Sequence, residues 1–383
     1  MHRHLDRMIR TLALLFVAVA APHAHAINGV VGPGNCDYAG FSNVLATVDG
    51  SGGGTITFNC GTATITFAGY KQISNAVVID GGGTITFDGG NNSGFFQVSF
   101  SATVTLKRLS VQHGVYTGGV RALENFGTLV LDHVRVVNNS STRGPVLSSG
   151  MLRVRASTFN GNVASSSTDG NGGAIENSFG DLDVRDSTFN GNSAAHFGGA
   201  IYSHSASSIT NSTFNANTGT GGGGAIYQDG TGASTLTYAT VIGNTAPFGA
   251  GVYNDGGGNA TLTIAKSIVS GNTAGNCDGV LQTGGYNLSN GTGCGSVFVG
   301  TGDLINQTLN MGALANNGGP TLTMLPQAGN PAIDHIPHAS CVEHYDQRGY
   351  ARTPATLPGS ANCDSGAVEV NGANDRIFYD DFD

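Results

Sequence analysis

Ser157-Thr158-Phe159-Asn160-Gly161-Asn162 returns as Ser187-Thr188-Phe189-Asn190-Gly191-Asn192 and again as Ser212-Thr213-Phe214-Asn215-Ala216-Asn217. Looser copies end at Asn139, Asn244 and Asn272, and the six closing asparagines are spaced by 23, 30, 25, 27 and 28 residues. That period is too short for a propeller blade and suits one coil of a solenoid. A second signature runs between the copies: Gly172 to Ile175, Gly198 to Ile201 and Gly223 to Ile226 read Gly-Gly-Ala-Ile, with weaker versions at Gly118 to Val120 and Gly249 to Val252.

The residues between these signatures decide whether the coil is helical or extended. Thr128-Leu129-Val130-Leu131, Thr235-Leu236-Thr237 and Thr261-Leu262-Thr263-Ile264 alternate apolar with polar and lie between Gly, Asn and Asp, which is the pattern of short strands. A strand repeated once per coil pairs with its next copy in parallel, about 4.8 Å away. The expected fold is therefore all-β, a right-handed parallel β-helix, the hand following from the preference of parallel connections. Phe159, Phe189 and Phe214 are expected to stack inside it, in register with Val136, Val241 and Val269. Asn139, Asn162, Asn192, Asn217, Asn244 and Asn272 are expected at the turns, tolerating a left-handed backbone and bonding amide to amide between coils. The Gly-Gly step allows a turn where a Cβ would clash.

These repeated steps resemble those of polymorphic outer-membrane-protein repeats and, more broadly, of pectin-lyase-like right-handed β-helix proteins. The strands around Thr55-Ile56-Thr57-Phe58, Thr64-Ile65-Thr66-Phe67 and Thr84-Ile85-Thr86-Phe87 are similar to the start of secreted β-helix proteins with a CSLREA-type opening, although Cys36-Asp37-Tyr38-Ala39-Gly40 replaces that motif. Leu314-Ala315-Asn316-Asn317-Gly318-Gly319-Pro320-Thr321, Asn330-Pro331-Ala332-Ile333-Asp334, Asp346-Gln347-Arg348-Gly349 and Cys363-Asp364-Ser365-Gly366-Ala367-Val368-Glu369 closely resemble the choice-of-anchor Q domain of bacterial surface proteins. That resemblance implies delivery to the cell surface or beyond and supplies no catalytic residues. The last eight residues are similar to a short tail of secreted proteobacterial proteins, with Asp381 and Asp383 departing from its usual Gly and Glu. No translocator barrel follows, so a self-translocating route is not expected.

Composition and leader agree with an exported β-protein. Gly makes up 61 of 383 residues, charged residues are 11%, hydrophobic residues 39%, and Trp is absent; such a chain has enough apolar content for a core and too little charge for a disordered one. Arg3, Arg7 and Arg10 precede an apolar run from Leu12 to Ala21 and an A-x-A site at Ala24-His25-Ala26, the three parts of a secretory signal peptide. Its removal takes three Arg and one Asp and deepens the net charge from -9 to -11, so nucleic acid is not an expected partner. No later segment is apolar enough to cross a membrane. Six cysteines in an exported chain read as disulfides, and their clustering favours Cys36 with Cys60, Cys277 with Cys294, and Cys341 with Cys363.

The expected organisation is a signal peptide over residues 1–26, an N-terminal cap over 27–50, opening coils over 51–117, repeat coils over 118–275, C-terminal coils with an irregular cap over 276–370, and an acidic tail over 371–383. Chemistry has few candidates. Aligned on the Phe position, Asp132, Arg155 and Arg185 form one outward column and Arg153 with Asp183 a second; they read either as a surface ion-pair ladder or as the base and cation site of a polyuronate lyase. Glu124, Glu176, Asp181, Asp186, Asp229 and Asp255 look scattered, which speaks against the paired carboxylates of a hydrolase. His335, His338 and His344, spaced in threes with Cys341, have zinc-ligand types, but a disulfide at Cys341 removes one of them. No cofactor is expected. Two functions stay open: a non-catalytic surface or secreted protein that binds polysaccharide, cell-surface glycan or another surface, and a polysaccharide lyase or hydrolase, which rests on fold analogy alone.

Overall fold

Strands separated by one repeat lie side by side and parallel throughout the chain. The structure, a computed structural model, describes residues 25–115, 121–352 and 362–370. The leader up to residue 24, the Gly118 to Val120 step and the tail 371–383 lie outside the described residues. Every pairing between named strands is parallel, in sheets of 17, nine and four strands. Each coil adds one strand to each of the two smaller sheets and, among the repeats, two to the largest, so the fold is an all-β parallel solenoid.

Periodicity sets the interior. Phe159 pairs with Phe189 and Phe189 with Phe214, and their rings stack at 4.6 and 4.8 Å between centroids, within 5° of parallel. Val136, Val241 and Val269 continue that column in register. The asparagines form an unbroken ladder: Nδ2 of Asn139, Asn162, Asn192, Asn217 and Asn244 each donates to Oδ1 of the next at 2.9–3.0 Å. Each of these amides also satisfies buried backbone, as when the N–H of Asn162 donates to Oδ1 of Asn192. Left-handed backbone falls on the residue before each ladder asparagine, namely Asn138, Gly161, Gly191, Ala216, Gly243 and Gly271, and not on the asparagines themselves. An amide that must face inward along a column needs an extended residue, so the turn is made one position earlier. In the Gly-Gly step, φ is positive at Gly172 and Gly198, and a Cβ there would lie 2.1 and 2.3 Å from the carbonyl oxygens of Ile175 and Ile201.

A second column of left-handed residues bends the long sheet in every coil. Arg108, His133, Ala156, Asp186, Asn211, Tyr238, Lys266 and Tyr286 all have φ between 46° and 57°. Few of these side chains favour that conformation. The serine that follows four of the bends supports it from within: Oγ of Ser157 accepts from the N–H of Val134, Oγ of Ser187 and of Ser212 from the N–H of Ser157 and Ser187, and Oγ of Ser267 from the N–H of Ala239.

At the amino-terminal end, the helix Tyr38–Gly50 begins where Asp37 accepts from the N–H of Gly40. It buries Phe41, Leu45 and Val48, with Phe41 packed against Phe58, Phe67, Phe87 and Phe96. All three disulfides, Cys36–Cys60, Cys277–Cys294 and Cys341–Cys363, join the expected partners.

After Leu304 the chain leaves the winding and folds against the bend column. Leu309 and Met311 pack with Ile268, Leu288 and Ala332. The segment then reaches back to the Asp186 coil, where Thr321 donates to the carbonyl of Asp186 and Thr188 to that of Leu322. A further excursion brings Tyr345 and Gln347 to Asn211 and Thr213. The end of the segment returns to Tyr238, Thr240 and Lys266 through Cys363, Ala367 and Gly366. We call residues 305–370 the return segment.

Its anchor is a buried ionic cluster. Arg352 is fully buried, stacks over the Tyr238 ring at 4.2 Å, and donates to Asn211 Oδ1 and to the carbonyls of Asp364 and Gly366. Glu369 Oε2 lies 3.8 Å from the same guanidinium and accepts from the N–H of Asp364. Asp346 pairs with Arg348 at 2.8 Å. Burial, together with the neighbouring Asp364 charge, pushes the Glu369 carboxyl up to about 8, and burial raises Asp364 as well. A carboxyl raised on folding stabilises most when protonated in both states. The contribution is complete below the ordinary glutamate value of about 4.5 and is lost as pH rises through about 8. The thermal midpoint is therefore expected to fall across that window, and Glu369→Gln is expected to flatten the profile; a midpoint that rises from pH 5 to pH 8 would contradict the burial of this pair.

Candidate functional site

The outward face of the long sheet carries the first candidate. Strand register places Asp132 beside Arg155, Arg155 beside Arg185, and Arg153 beside Asp183, so the two charge columns form as the alignment implies. Their carboxylates are already engaged. Asp132 accepts from His133 Nδ1 at 2.7 Å and lies 3.7 Å from Lys107. Although burial alone would raise it, those contacts hold its carboxyl below the ordinary range. Asp183 faces Arg185 at 3.4 Å, and Arg185 also reaches Glu343 at 3.9 Å. Two aspartates in different columns, each beside a cation, make a ladder of partly exposed ion pairs, worth little to stability.

The return segment holds the second. His335 bonds Ser365 at 2.9 Å and Cys341 is consumed by its disulfide. Among the described residues, the one group able to offer three ligand atoms within 4.8 Å of one another is Asp334, Asp364 and Glu369, without His338 or His344. Its oxygens are occupied: Asp364 accepts from the N–H of Asp334 and of Val370, and Arg352 supplies positive charge beside Glu369. That arrangement serves as the anchor described above.

The third lies on the nine-stranded sheet, built from the residue that follows each Gly-Gly-Ala-Ile step. Ile175, Ile201, Ile226 and Val252 point inward, as do Asn177, Ser203, Gln228 and Asn254, all with at most 1% exposure. The intervening residue faces out. Successive strands therefore align Gln97, Glu124, Leu147, Glu176, Tyr202, Tyr227, Tyr253 and Asp278 in one outward column.

Two regimes follow along this column. In the first, Glu124 accepts from Arg121 at 3.0 Å and from Gln97 at 3.1 Å, while the buried Glu176 accepts from Nε and Nη2 of Arg143, one carboxylate oxygen to each. Burial pushes the Glu176 carboxyl above its ordinary range against the pull of Arg143. In the second, aromatic rings cover the sheet: Tyr227 lies 5.8 Å from Tyr202, 4.8 Å from Tyr253 and 4.2 Å from Phe197, and Phe248 packs on Tyr253 at 4.9 Å. Aspartates line the edge. The Tyr202 hydroxyl donates to Asp229 at 2.7 Å, where His204 also bonds, and Asp255 stands in the equivalent place one coil on, bonded to Tyr227. Burial first, then these carboxylates, raise all three tyrosines above the ordinary phenol range, so their hydroxyls remain protonated donors.

Glu124, Glu176, Asp229 and Asp255 are thus not scattered: they lie in or beside one column of one sheet. The signal was present in the sequence as Glu-Asn, Tyr-Ser, Tyr-Gln and Tyr-Asn after the repeated step, a variable position flanked by invariantly inward ones. Chemically, this face offers flat rings, phenolic donors and carboxylate acceptors in a line. No family model, curated protein or solved structure matches the chain.

Proposed function

We propose that this chain is an exported protein, secreted or held at a cell surface, that binds glycan along the nine-stranded sheet without turning it over. The observation that carries the reading is the outward aromatic run on this sheet, in which Tyr202, Phe197, Phe248 and Tyr253 are partly exposed and Tyr227, 5% exposed, is the ring they pack around. Aromatic faces give apolar contact to the C–H faces of sugar rings, while phenols and carboxylates beside them bond hydroxyls. Three disulfides suit an oxidising compartment, and the leader supports passage to it. The likeness of the repeats to pectin-lyase-like and polymorphic outer-membrane-protein chains, and of residues 300–370 to choice-of-anchor Q domains, supports the same destination.

The test presents the mature protein with immobilised neutral glycans and polyuronates and follows retention, unsaturated products and new reducing ends together. Retention without turnover is the expected result, weakened by about tenfold or more in Tyr253→Ala, as expected when a partly exposed ring of a binding site is removed. Turnover of a polyuronate that disappears in Arg155→Ala and Arg185→Ala would replace this reading with a lyase.

A further inference from the structure

Charge on the tyrosine face narrows the ligand, and this step rests on the glycan-binding reading above. Along the column, Glu124 is matched by Arg121 and Glu176 by Arg143, so the first half is close to neutral. Beyond Glu176 the balance changes. Asp229 and Asp255 take equivalent places in successive coils, about 4.8 Å apart, and Asp278 follows Tyr253 in the ring column itself; Tyr202 and Tyr253 are the partly exposed rings beside them, Tyr227 being covered by Phe197. Asp229 bonds Tyr202 and His204. Among the described residues, no lysine or arginine forms a salt bridge with Asp255 or Asp278, both of which are exposed.

A uronic acid polymer brought to this surface would meet like charge in every coil. A neutral sugar would meet acceptors but leave their charge unmatched. A protonated amine satisfies both features, because a cation is attracted to the face of an aromatic ring and to a carboxylate beside it. We infer that the partly exposed rings of Tyr202 and Tyr253, with Asp229, Asp255 and Asp278, bind a polysaccharide of amino sugars whose amines are free, each amine lying between a ring and a carboxylate. Carboxylates contributed by three successive coils fit a repeating polymer and not a single small cation.

The experiment compares oligomers of glucosamine, of fully N-acetylated glucosamine and of galacturonate, binding to the intact mature protein at low and moderate salt. The free-amine oligomer is expected to bind about tenfold tighter than its acetylated form, a step of one decade in dissociation constant, and to lose that advantage as salt rises. Asp255→Asn with Asp278→Asn, isosteric changes at exposed positions, is expected to bring the two affinities together with an unchanged thermal midpoint. Tyr253→Ala is expected to weaken both oligomers. Equal affinity for free and acetylated oligomers in the unaltered protein, or a preference for galacturonate, would overturn the amino-sugar assignment and leave glycan binding standing. Failure to retain any of the three would overturn both.

Discussion

At about pH 9, above the Glu369 value of about 8, Arg352→Ala is expected to lower the unfolding free energy by about 3–5 kcal/mol, the usual loss when one partner is taken from a buried ion pair. The guanidinium holds three loose ends at once: the Asn211 side chain on the solenoid, the carbonyls of Asp364 and Gly366 on the return segment, and the Glu369 carboxylate. Without it, Asp364 and Glu369 are left as neighbouring acids in a dry site over an emptied Tyr238 face. Both must then take up protons or separate. The deficit is accordingly expected to shrink at about pH 5, where protonation no longer costs much. Urea unfolding at two pH values measures this, and limited proteolysis should show the return segment opening first. A loss below about 1 kcal/mol at about pH 9, the size of an ordinary substitution, would mean that the segment is not held here.

Phe189→Ala carries the second large effect, also about 3–5 kcal/mol, the range for emptying a buried aromatic site. Phe159 lies above and Phe214 below, both in ring-to-ring contact, so the cavity opens between two layers that cannot close on each other without breaking their strand pairing. The carbonyl of Phe189 also accepts from Asn217 Nδ2, which ties the ring column to the amide ladder. In a repeat protein each coil is stabilised by its neighbours. The variant is therefore expected to unfold in two steps, with the amino-terminal coils outlasting the rest, where the parent protein shows one. Phe179→Ala provides the contrast: that ring is 75% exposed, and its loss should change stability by less than about 0.5 kcal/mol.

The repeated coils were readable because their constraints are local and recur. A hexapeptide such as Ser187 to Asn192 contains its own inward Phe, its turn and its ladder amide, and the period supplies the neighbour. The outward column on the nine-stranded sheet was readable in principle, yet it varies by design of the lattice: Glu124, Leu147, Glu176 and Tyr202 share a place without sharing a chemistry. Only alignment by strand register brings them together. Of the return segment, the Cys341–Cys363 pairing was readable and the docking was not. Its contacts join residues some 134 positions apart, such as Thr188 with Leu322 and Thr213 with Gln347, and nothing periodic links the two partners. Buried Arg352 likewise looks like any arginine in a loop until Tyr238 is found beneath it.

Because the return segment grips specific coils, from Asp186 to Tyr286, the molecule treats its two halves differently as genes lengthen and shorten. On the amino-terminal side, gain or loss of a whole winding merely inserts or deletes a rung, since each coil offers its successor a parallel strand edge and an apolar layer. Between Asp186 and Tyr286, one added winding would carry Asn211 and Tyr238 out of reach of partners whose own span is fixed. The protein thus has one end whose size evolution can adjust in units of about two dozen residues, and another whose count is locked by the strand of chain that measures it.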